Sequence, residues 1–161
     1  MEAGLFMEAI KRRIEELHTR YIRVIDDERW EEWPELFTEV CLYKIVTREN
    51  FSQGLPLSVM ECHSRGMLTD RVTGLRTINV YEPHRYLHQI SGLAIESIDG
   101  EIARCRSNYL VVRTMLDGAM SIFSAGVYLD KVVLGPGEAR FAERVVVADS
   151  RRIETLLVFP L

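Results

Sequence analysis

The sequence predicts an α+β fold in which helices come first and long antiparallel strands follow. Near the start of the chain, apolar residues recur three and four positions apart, as on one face of a helix. After residue 85 apolar and polar residues alternate, as they do along a half-buried strand. The alternating segments are separated by short turns, so neighbouring strands must be antiparallel, because a parallel pair needs a long crossover.

The first helix is predicted by one apolar stripe and should end near Asp26 and Asp27. The stripe consists of Met7, Ile10, Ile14, Leu17, Tyr21 and Val24. A short helix with Pro34 in its first turn should follow, because proline needs no backbone donor there. Its apolar residues should close one end of the core: Trp30, Trp33, Leu36 and Phe37.

The middle of the chain is predicted to hold one strand, one loop and one further helix. Residues 40–46 alternate like a strand, and residues 50–56 are rich in loop-forming types. Ser64 is a suitable N-cap for the helix. The apolar side of that helix should carry Met67, Leu68, Val72 and Leu75.

Long strands should fill the rest of the chain and curl around the helices. They are predicted near 85–97, 102–115, 119–133, 138–148 and 152–159. Long strands in such a sheet twist strongly, and Gly92 and Gly126 are predicted to mark bulges that add curvature. The expected shape is a cone with a cavity between the helices and the sheet.

Composition indicates one globular domain over residues 1–161. The chain has 47% hydrophobic residues and a net charge of −4, with no basic cluster, so nucleic acid is not an expected partner. Cys41, Cys62 and Cys105 form neither a metal-binding spacing nor a disulfide framework. Neither a signal peptide nor an apolar run of membrane-spanning length is evident, so we expect no membrane and a cytoplasmic location.

Two neighbouring carboxylates are the candidate catalytic groups. Asp26 or Asp27 could act as a general base pointing into the cone, paired with Tyr43, Tyr109 or His88. The alternative, which we favour at this point, is a loop carboxylate or a helix cap.

The histidines indicate a shared strand face more than a metal site. His84 and His88 have a spacing that could bind metal on a helix, but the local period is two and His-Glu-x-x-His is absent. We therefore expect His84, Tyr86 and His88 to lie on one face of a strand, where they meet a partner or line the cavity. No catalytic, cofactor-binding or metal-binding residue is assigned in this chain.

Two further patterns indicate contacts with another protein. Asp70 and Arg71 on the third helix are expected to make an ion pair or an interface contact. Along the strand 102–115, one face should be the cavity side, with Ala103, Cys105, Ser107, Tyr109 and Val111. The other face carries Arg104, Arg106 and Asn108 and becomes apolar at Leu110 and Val112, which is typical either of a solvated face or of a protein interface.

Several stretches together resemble the small (β) subunit of bacterial aromatic-ring-hydroxylating oxygenases. They begin with Tyr21-Ile-Arg-Val-Ile-Asp-Asp-Glu-Arg-Trp and Arg65-Gly-Met-Leu-Thr-Asp-Arg-Val. Further matches are Ser107-Asn-Tyr-Leu-Val-Val-Arg-Thr, Phe123-Ser-Ala-Gly-Val-Tyr-Leu-Asp, Arg140-Phe-Ala-Glu-Arg-Val-Val-Val and Ile153-Glu-Thr-Leu-Leu-Val-Phe-Pro-Leu. The resemblance runs from about Tyr21 to Leu161. Leu87 and Gly92 depart from the family pattern, which expects arginine and asparagine there.

The resemblance implies a cone-shaped fold like that of nuclear transport factor 2 and a role without catalysis. It implies a large α subunit that holds a Rieske [2Fe–2S] cluster and a mononuclear iron, an α3β3 assembly, and a reductase that delivers electrons from NADH. The end of the chain is similar to members acting on small aromatic acids such as salicylate or anthranilate. The sequence itself has neither a Rieske His/Cys pattern nor a two-His-one-carboxylate set.

Two other functions remain open at the level of sequence. One is a free-standing isomerase or dehydratase of the same cone fold that uses Asp26 or Asp27 as its base. The other is a module that binds a small molecule in an apolar pocket without chemistry.

Overall fold

The computed structural model describes residues 2–77, 80–150, 157 and 159–161. The helices in these residues are α1 (Glu2–Asp26), α2 (Arg48–Ser52) and α3 (Arg65–Thr77). Two short 3₁₀ turns, Trp30–Glu32 and Pro34–Leu36, lead into the sheet. As predicted, a long helix opens the chain and the long strands β3 to β6 come last, while the strands β1 and β2 lie between the helices.

Within the described residues, the strands form one six-stranded sheet. They are β1 (Phe37–Thr47), β2 (Met60–Ser64), β3 (His84–Asp99), β4 (Ile102–Met115), β5 (Met120–Val133) and β6 (Arg140–Ala148). Their order in the sheet is β2-β1-β6-β5-β4-β3. The meander from β3 to β6 is antiparallel, as predicted, whereas β1 pairs with β6 in parallel and with β2 antiparallel.

Helix α1 packs across the inner face of the sheet, mainly against β3. Its stripe residues from Ile10 onward are buried, including Ile14, Leu17 and Tyr21, which are at most 1% exposed. The 3₁₀ turns close one end of the core with Trp30, Trp33 and Leu36, as the sequence predicts. The helix and this aromatic end therefore enclose the concave side of the sheet.

The two strand glycines have different roles. Gly92 has φ +63° and lies at a register shift between β3 and β4, so the predicted bulge is confirmed. Gly126 lies in regular pairing opposite Tyr109. A Cβ atom there would sit 2.0 Å from the carbonyl oxygen of Val147, so glycine is required by close backbone approach, and the bulge predicted at Gly126 is wrong.

Three local predictions are corrected by the structure. The predicted loop 50–56 begins as helix α2, because the Thr47 side chain caps it by accepting the Asn50 N–H at 3.2 Å. Ser64 caps α3 as predicted, but Met67 is exposed. Strand β2 was not predicted. The expected strand 152–159 lies outside the described residues except for Leu157 and Phe159, which have no regular structure.

Candidate functional site: two carboxylate–histidine pairs and the outer sheet face

Asp26 pairs with His88, one of its three predicted partners. The carboxylate lies at the end of α1, where one oxygen contacts His88 Nδ1 at 2.6 Å and the other accepts the His88 backbone N–H at 2.9 Å. Because a carboxylate only accepts, Nδ1 of His88 carries the proton in this contact. Both carboxylate oxygens therefore contact a single residue, and Asp26 ties the helix to β3.

The opposite ring nitrogen of His88 lies in the core. Nε2 is buried and has no hydrogen-bond partner among the described residues. His84, Tyr86 and His88 share the inner face of β3, as predicted, with centroid separations of 5.1 Å and 6.0 Å along the row. Further along β3, a groove opens between this strand and α1, lined by His18, Ile22, Ile90 and Leu93 among others.

The other predicted members of this site lie elsewhere. Asp27 is largely exposed and approaches Arg29 at 3.7 Å, so it does not point into the cone. Tyr109 bonds to Ser124 at 2.9 Å. Burial raises the pKa of Tyr109 to about 12 and that of Tyr43 well above its ordinary range. These phenols remain protonated at neutral pH and do not supply a base.

Phe159 and Leu161 fill part of the interior of the cone. The Tyr21 hydroxyl donates to the Leu161 carbonyl oxygen at 2.6 Å, and the Leu161 N–H donates to the Tyr43 hydroxyl at 2.9 Å. Phe159 packs against four rings with centroid separations of 4.7 to 5.3 Å, those of Trp30, Tyr81, His84 and Tyr86. These residues therefore occupy part of the predicted cavity, and an open groove between α1 and β3 remains.

A second carboxylate–histidine pair, which the sequence did not predict, lies deeper in the core. Arg144 binds both oxygens of Asp130 through Nε and Nη2, at 2.8 and 2.7 Å. His18 Nε2 contacts the same carboxylate at 3.0 Å. The guanidinium also lies 4.0 to 4.2 Å from the ring centroids of Tyr21, Tyr128 and Phe141.

Electrostatics fix the charges of this buried network. Burial opposes ionisation of Asp130, but the charge and hydrogen bonds of Arg144 outweigh it and hold the pKa of Asp130 below its ordinary value. Burial lowers the pKa of His18, so its imidazole is neutral at pH 7 and donates Nε2–H to Asp130. The network is thus an ion pair with a neutral histidine attached.

Three potential metal ligands meet at this network, yet the donor chemistry does not favour a metal ion. Ligand atoms of His18, Cys105 and Asp130 lie within 4.8 Å of one another. Both oxygens of Asp130 are already bound by Arg144, and burial raises the pKa of the Cys105 thiol to about 12. A divalent cation would have to displace a guanidinium and bind a protonated thiol, so these residues do not fit a metal site.

The outer face of the sheet follows the predicted alternation. Ala103, Cys105, Ser107, Tyr109 and Val111 are buried on the inner side of β4, and Arg104, Arg106 and Asn108 are exposed on the other. Beside this basic stripe lies an aliphatic patch. It consists of Val46, Val127, Leu129, Val145 and Val147, which form the second apolar cluster of the structure.

Cross-strand pairing places the stripe and the patch next to each other. Asn108 pairs with Val127, and Arg106 pairs with Leu129, which in turn pairs with Val145. Val46, Val127 and Val147 are buried and Leu129 and Val145 are half-buried, so the exposed part of this side of the sheet is mainly the basic stripe. We call the residues of the stripe and the patch together the outer face.

Comparisons with known proteins identify the family. Residues 20–155 match the model of the ring hydroxylating beta subunit family. The chain is 46% identical to the anthranilate 1,2-dioxygenase small subunit of Burkholderia cepacia, over 90% of each chain. It is 36% identical to the beta 1 subunit of the terephthalate 1,2-dioxygenase terminal oxygenase component of Comamonas sp, over 92% of this chain and 97% of that subunit.

A solved structure supports the same conclusion. The beta subunit of a putative aromatic-ring-hydroxylating dioxygenase from Novosphingobium aromaticivorans superposes with a TM-score of 0.90 at 37% identity, covering 97% of this chain and 99% of that one. The fold is thus the cone-shaped α+β fold of the nuclear transport factor 2 type, as predicted. The chain belongs to the ring-hydroxylating dioxygenase β-subunit family.

Among the described residues, no helix combines the length and the apolarity needed to cross a membrane.

Proposed function

We propose that this chain is the non-catalytic structural subunit of a multicomponent aromatic-ring-hydroxylating oxygenase that takes part in the breakdown of aromatic compounds. The observation that carries the proposal is the 46% identity to a dioxygenase small subunit over nine-tenths of both chains. The packing of Phe159 and Leu161 supports it, since these residues occupy part of the interior between helix and sheet.

The partner in this proposal is a large α subunit that carries the Rieske [2Fe–2S] cluster and the mononuclear iron. Electrons reach that subunit from NADH through a reductase. In this proposal no residue of this chain takes part in catalysis, cofactor binding or metal binding. The chain forms one domain over residues 1–161. We place the assembly, an α3β3 complex, in the cytoplasm, without nucleic acid or a membrane as partner.

The proposed substrate class is small aromatic acids such as anthranilate or salicylate. Two relatives support this, because their names specify anthranilate and terephthalate, both aromatic carboxylic acids. The ring-binding residues belong to the α subunit in this proposal, so the β subunit affects turnover only through assembly.

A free-standing isomerase or dehydratase is less well supported. Asp26, the carboxylate that would serve as its base, contacts His88 with both oxygens, and Asp27 faces solvent. A general base needs a lone pair within reach of a substrate proton. The ligand-binding alternative is also less well supported, because Phe159 and Leu161 occupy part of the interior.

Co-expression with the α subunit tests the proposal. We expect the two chains to co-elute in gel filtration at equal stoichiometry, with all iron in the α subunit. The β chain purified alone should contain no stoichiometric iron and should turn over no aromatic acid. Failure to retain the α subunit, or iron bound to the isolated β chain, would contradict the proposal.

A further inference from the structure

The groove between α1 and β3 is large enough to hold a small molecule. It is formed by the face of α1 that carries Glu15, His18, Thr19 and Ile22, and by residues 90–93 of β3, a strand at the edge of the sheet. It offers a volume of about 210 Å³. An apolar cavity of about 150 Å³ is enough to bind benzene, so the groove has room for one aromatic ring.

The groove lies where β3 bends. At His88 the strand is tied to α1, because the Asp26 carboxylate accepts the His88 backbone N–H at 2.9 Å. Four residues further along, Gly92 has φ +63° and lies at the register shift between β3 and β4. A bulge bends the strand that carries it. The groove is therefore a feature of the backbone and does not depend on the rotamer of one exposed side chain.

A buried histidine nitrogen is accessible from the groove. The His18 side chain is 6% exposed, and its Nε2–H donates to Asp130 at 3.0 Å. Nδ1 has no hydrogen-bond partner among the described residues, yet, unlike Nε2 of His88, it keeps accessible surface. His18 lines the groove, so this accessible surface lies there. Because the neutral ring carries its proton on Nε2, Nδ1 presents a lone pair and can only accept a hydrogen bond.

Most other polar groups of the groove are acceptors too. The Thr19 hydroxyl donates its proton to the Glu15 carbonyl oxygen at 2.8 Å, so it offers lone pairs to a ligand. The Glu15 carboxylate lies at the rim, about half exposed, with Lys11 at 3.9 Å. Burial lowers the pKa of His18, and the charge of Glu15 opposes this lowering, so the carboxylate is close to the ring. Ser91 adds a hydroxyl, and neither lysine nor arginine is among the described residues that line the groove.

Aliphatic side chains form the walls of the groove. Ile22 of α1 and Ile90 and Leu93 of β3 are half-buried and pack against the main core. Small-molecule sites typically combine apolar walls with a few polar groups that fix the orientation of the ligand. The groove combines these walls with the lone pair of His18.

We propose that this groove binds a small apolar molecule that carries a hydroxyl or amino donor and no negative charge, such as a phenol or an aromatic amine. Its ring lies among Ile22, Ile90 and Leu93, and its donor forms a hydrogen bond to Nδ1 of His18. An anionic acid is disfavoured, since the Glu15 carboxylate repels it and no cation lines the described groove.

This site goes beyond the proposed structural role. The groove is separate from the space that Phe159 and Leu161 occupy, and its residues come from this chain alone. The ligand also differs from the aromatic acids proposed as substrates of the oxygenase, because it lacks the carboxylate. Binding is therefore expected in the full-length chain without the α subunit.

Nitrogen-15 spectra of the histidine rings test the site in the full-length chain. We expect phenol to shift the Nδ1 resonance of His18 saturably. Anisole, which has the same ring and no donor, should bind at least about threefold more weakly, because the hydrogen bond is lost. Benzoate, which is anionic, should bind at least about tenfold more weakly than phenol.

Two matched variants locate the binding site. Thr19→Phe places a large side chain at the groove and should raise the dissociation constant of phenol at least about tenfold. Thr73→Phe on α3 is the control, since Thr73 is also exposed and also donates to the carbonyl oxygen four residues earlier, at 3.1 Å. It should leave phenol binding unchanged. Both positions are exposed, and circular dichroism checks that both variants fold.

Four results would overturn the inference. Equal affinity for phenol and anisole would remove the hydrogen bond to His18, and benzoate binding as tightly as phenol would exclude the proposed ligand class. No response of His18 to any probe would mean that the groove holds only water. Equal phenol affinity in Thr19→Phe and Thr73→Phe would place the binding elsewhere. Failure to bind the α subunit would contradict the proposed function and leave these measurements unaffected, so the two failures are distinguishable.

Discussion

Two carboxylate–histidine pairs of this chain, Asp130–His18 and Asp26–His88, differ in one component, a buried arginine. Asp130 contacts His18 and also binds Arg144 through both of its oxygens, in a site where the ion-paired side chains are fully buried. Asp26 contacts His88 at the partly open end of α1 and has no arginine or lysine partner among the described residues. A carboxylate–histidine contact is therefore not by itself a sign of catalysis. In the first pair it completes a charge-balanced core, and in the second it anchors a helix to a strand.

The largest expected effect comes from breaking the charge balance of the deep pair. Arg144→Met should lower the free energy of unfolding by about 3–5 kcal/mol, because it leaves a buried carboxylate without its cation. Urea denaturation followed by circular dichroism measures this. The double variant Asp130→Leu/Arg144→Met removes both charges and should recover part of the loss. A cost below about 1 kcal/mol in the single variant would show that Arg144 does not balance Asp130.

A smaller effect is expected at the other pair. Asp26→Ala should cost about 1.5–3 kcal/mol of unfolding free energy, since two hydrogen bonds from His88 to a charged acceptor are lost. Asp27→Ala is the matched control at the adjacent position, where the side chain is exposed, and should change stability by no more than about 0.5 kcal/mol. Equal effects of the two variants would contradict the anchoring role of Asp26.

The pH dependence of stability tests the deep pair of Asp130 and His18. The folded-state pKa of His18 lies below its unfolded value of 6.5, so protons bind the unfolded chain more readily. The contribution of neutral His18 to the free energy of unfolding is fully present above pH 6.5. It decreases as the pH falls below 6.5, by at most about 1.4 kcal/mol per pH unit. His18→Gln should flatten this slope between pH 6.5 and 5. An unchanged slope in the variant would mean that another group titrates there.

The smallest effect on stability should arise on the outer face. The double variant Arg104→Gln/Arg106→Gln changes exposed side chains and should alter unfolding free energy by no more than about 0.5 kcal/mol. If the outer face contacts another subunit, the same variant should slow association or weaken assembly measurably, with a stronger effect at low salt. Sedimentation of the mixed subunits at two ionic strengths measures this, and unchanged assembly at both would exclude the stripe from the interface.

The structural features that the sequence predicted correctly depend on residues that are close together in the chain. The two faces of β4 were assigned correctly because the alternation from Ala103 to Val111 has a period of two that the sheet preserves. The helix cap at Ser64 was correct because its hydroxyl acts within one turn. The pairing of Asp26 with His88 was among three options, since both lie on elements expected to face the cone.

What the sequence did not reveal depends on contacts between distant segments. Asp130 and His18 are 112 positions apart, and their contact becomes visible only when α1 crosses the sheet. The sequence did contain one signal for this buried network. Asp130 and Arg144 each fall on the inward face of a strand, where the neighbouring residues are apolar and buried. The parallel pairing of β1 with β6 has no local signature, and β2 has only five residues.

The most direct test of the account is turnover by the assembled oxygenase with the Asp26–His88 pair altered. In Asp26→Asn/His88→Gln, we expect the complex with the α subunit to hydroxylate its aromatic acid at the wild-type rate per iron, within about twofold, once equal amounts of assembled complex are compared. General acid–base groups contribute about 10²-fold or more to catalysis. A loss of that size in a complex of unchanged stoichiometry and iron content would contradict a purely structural β subunit.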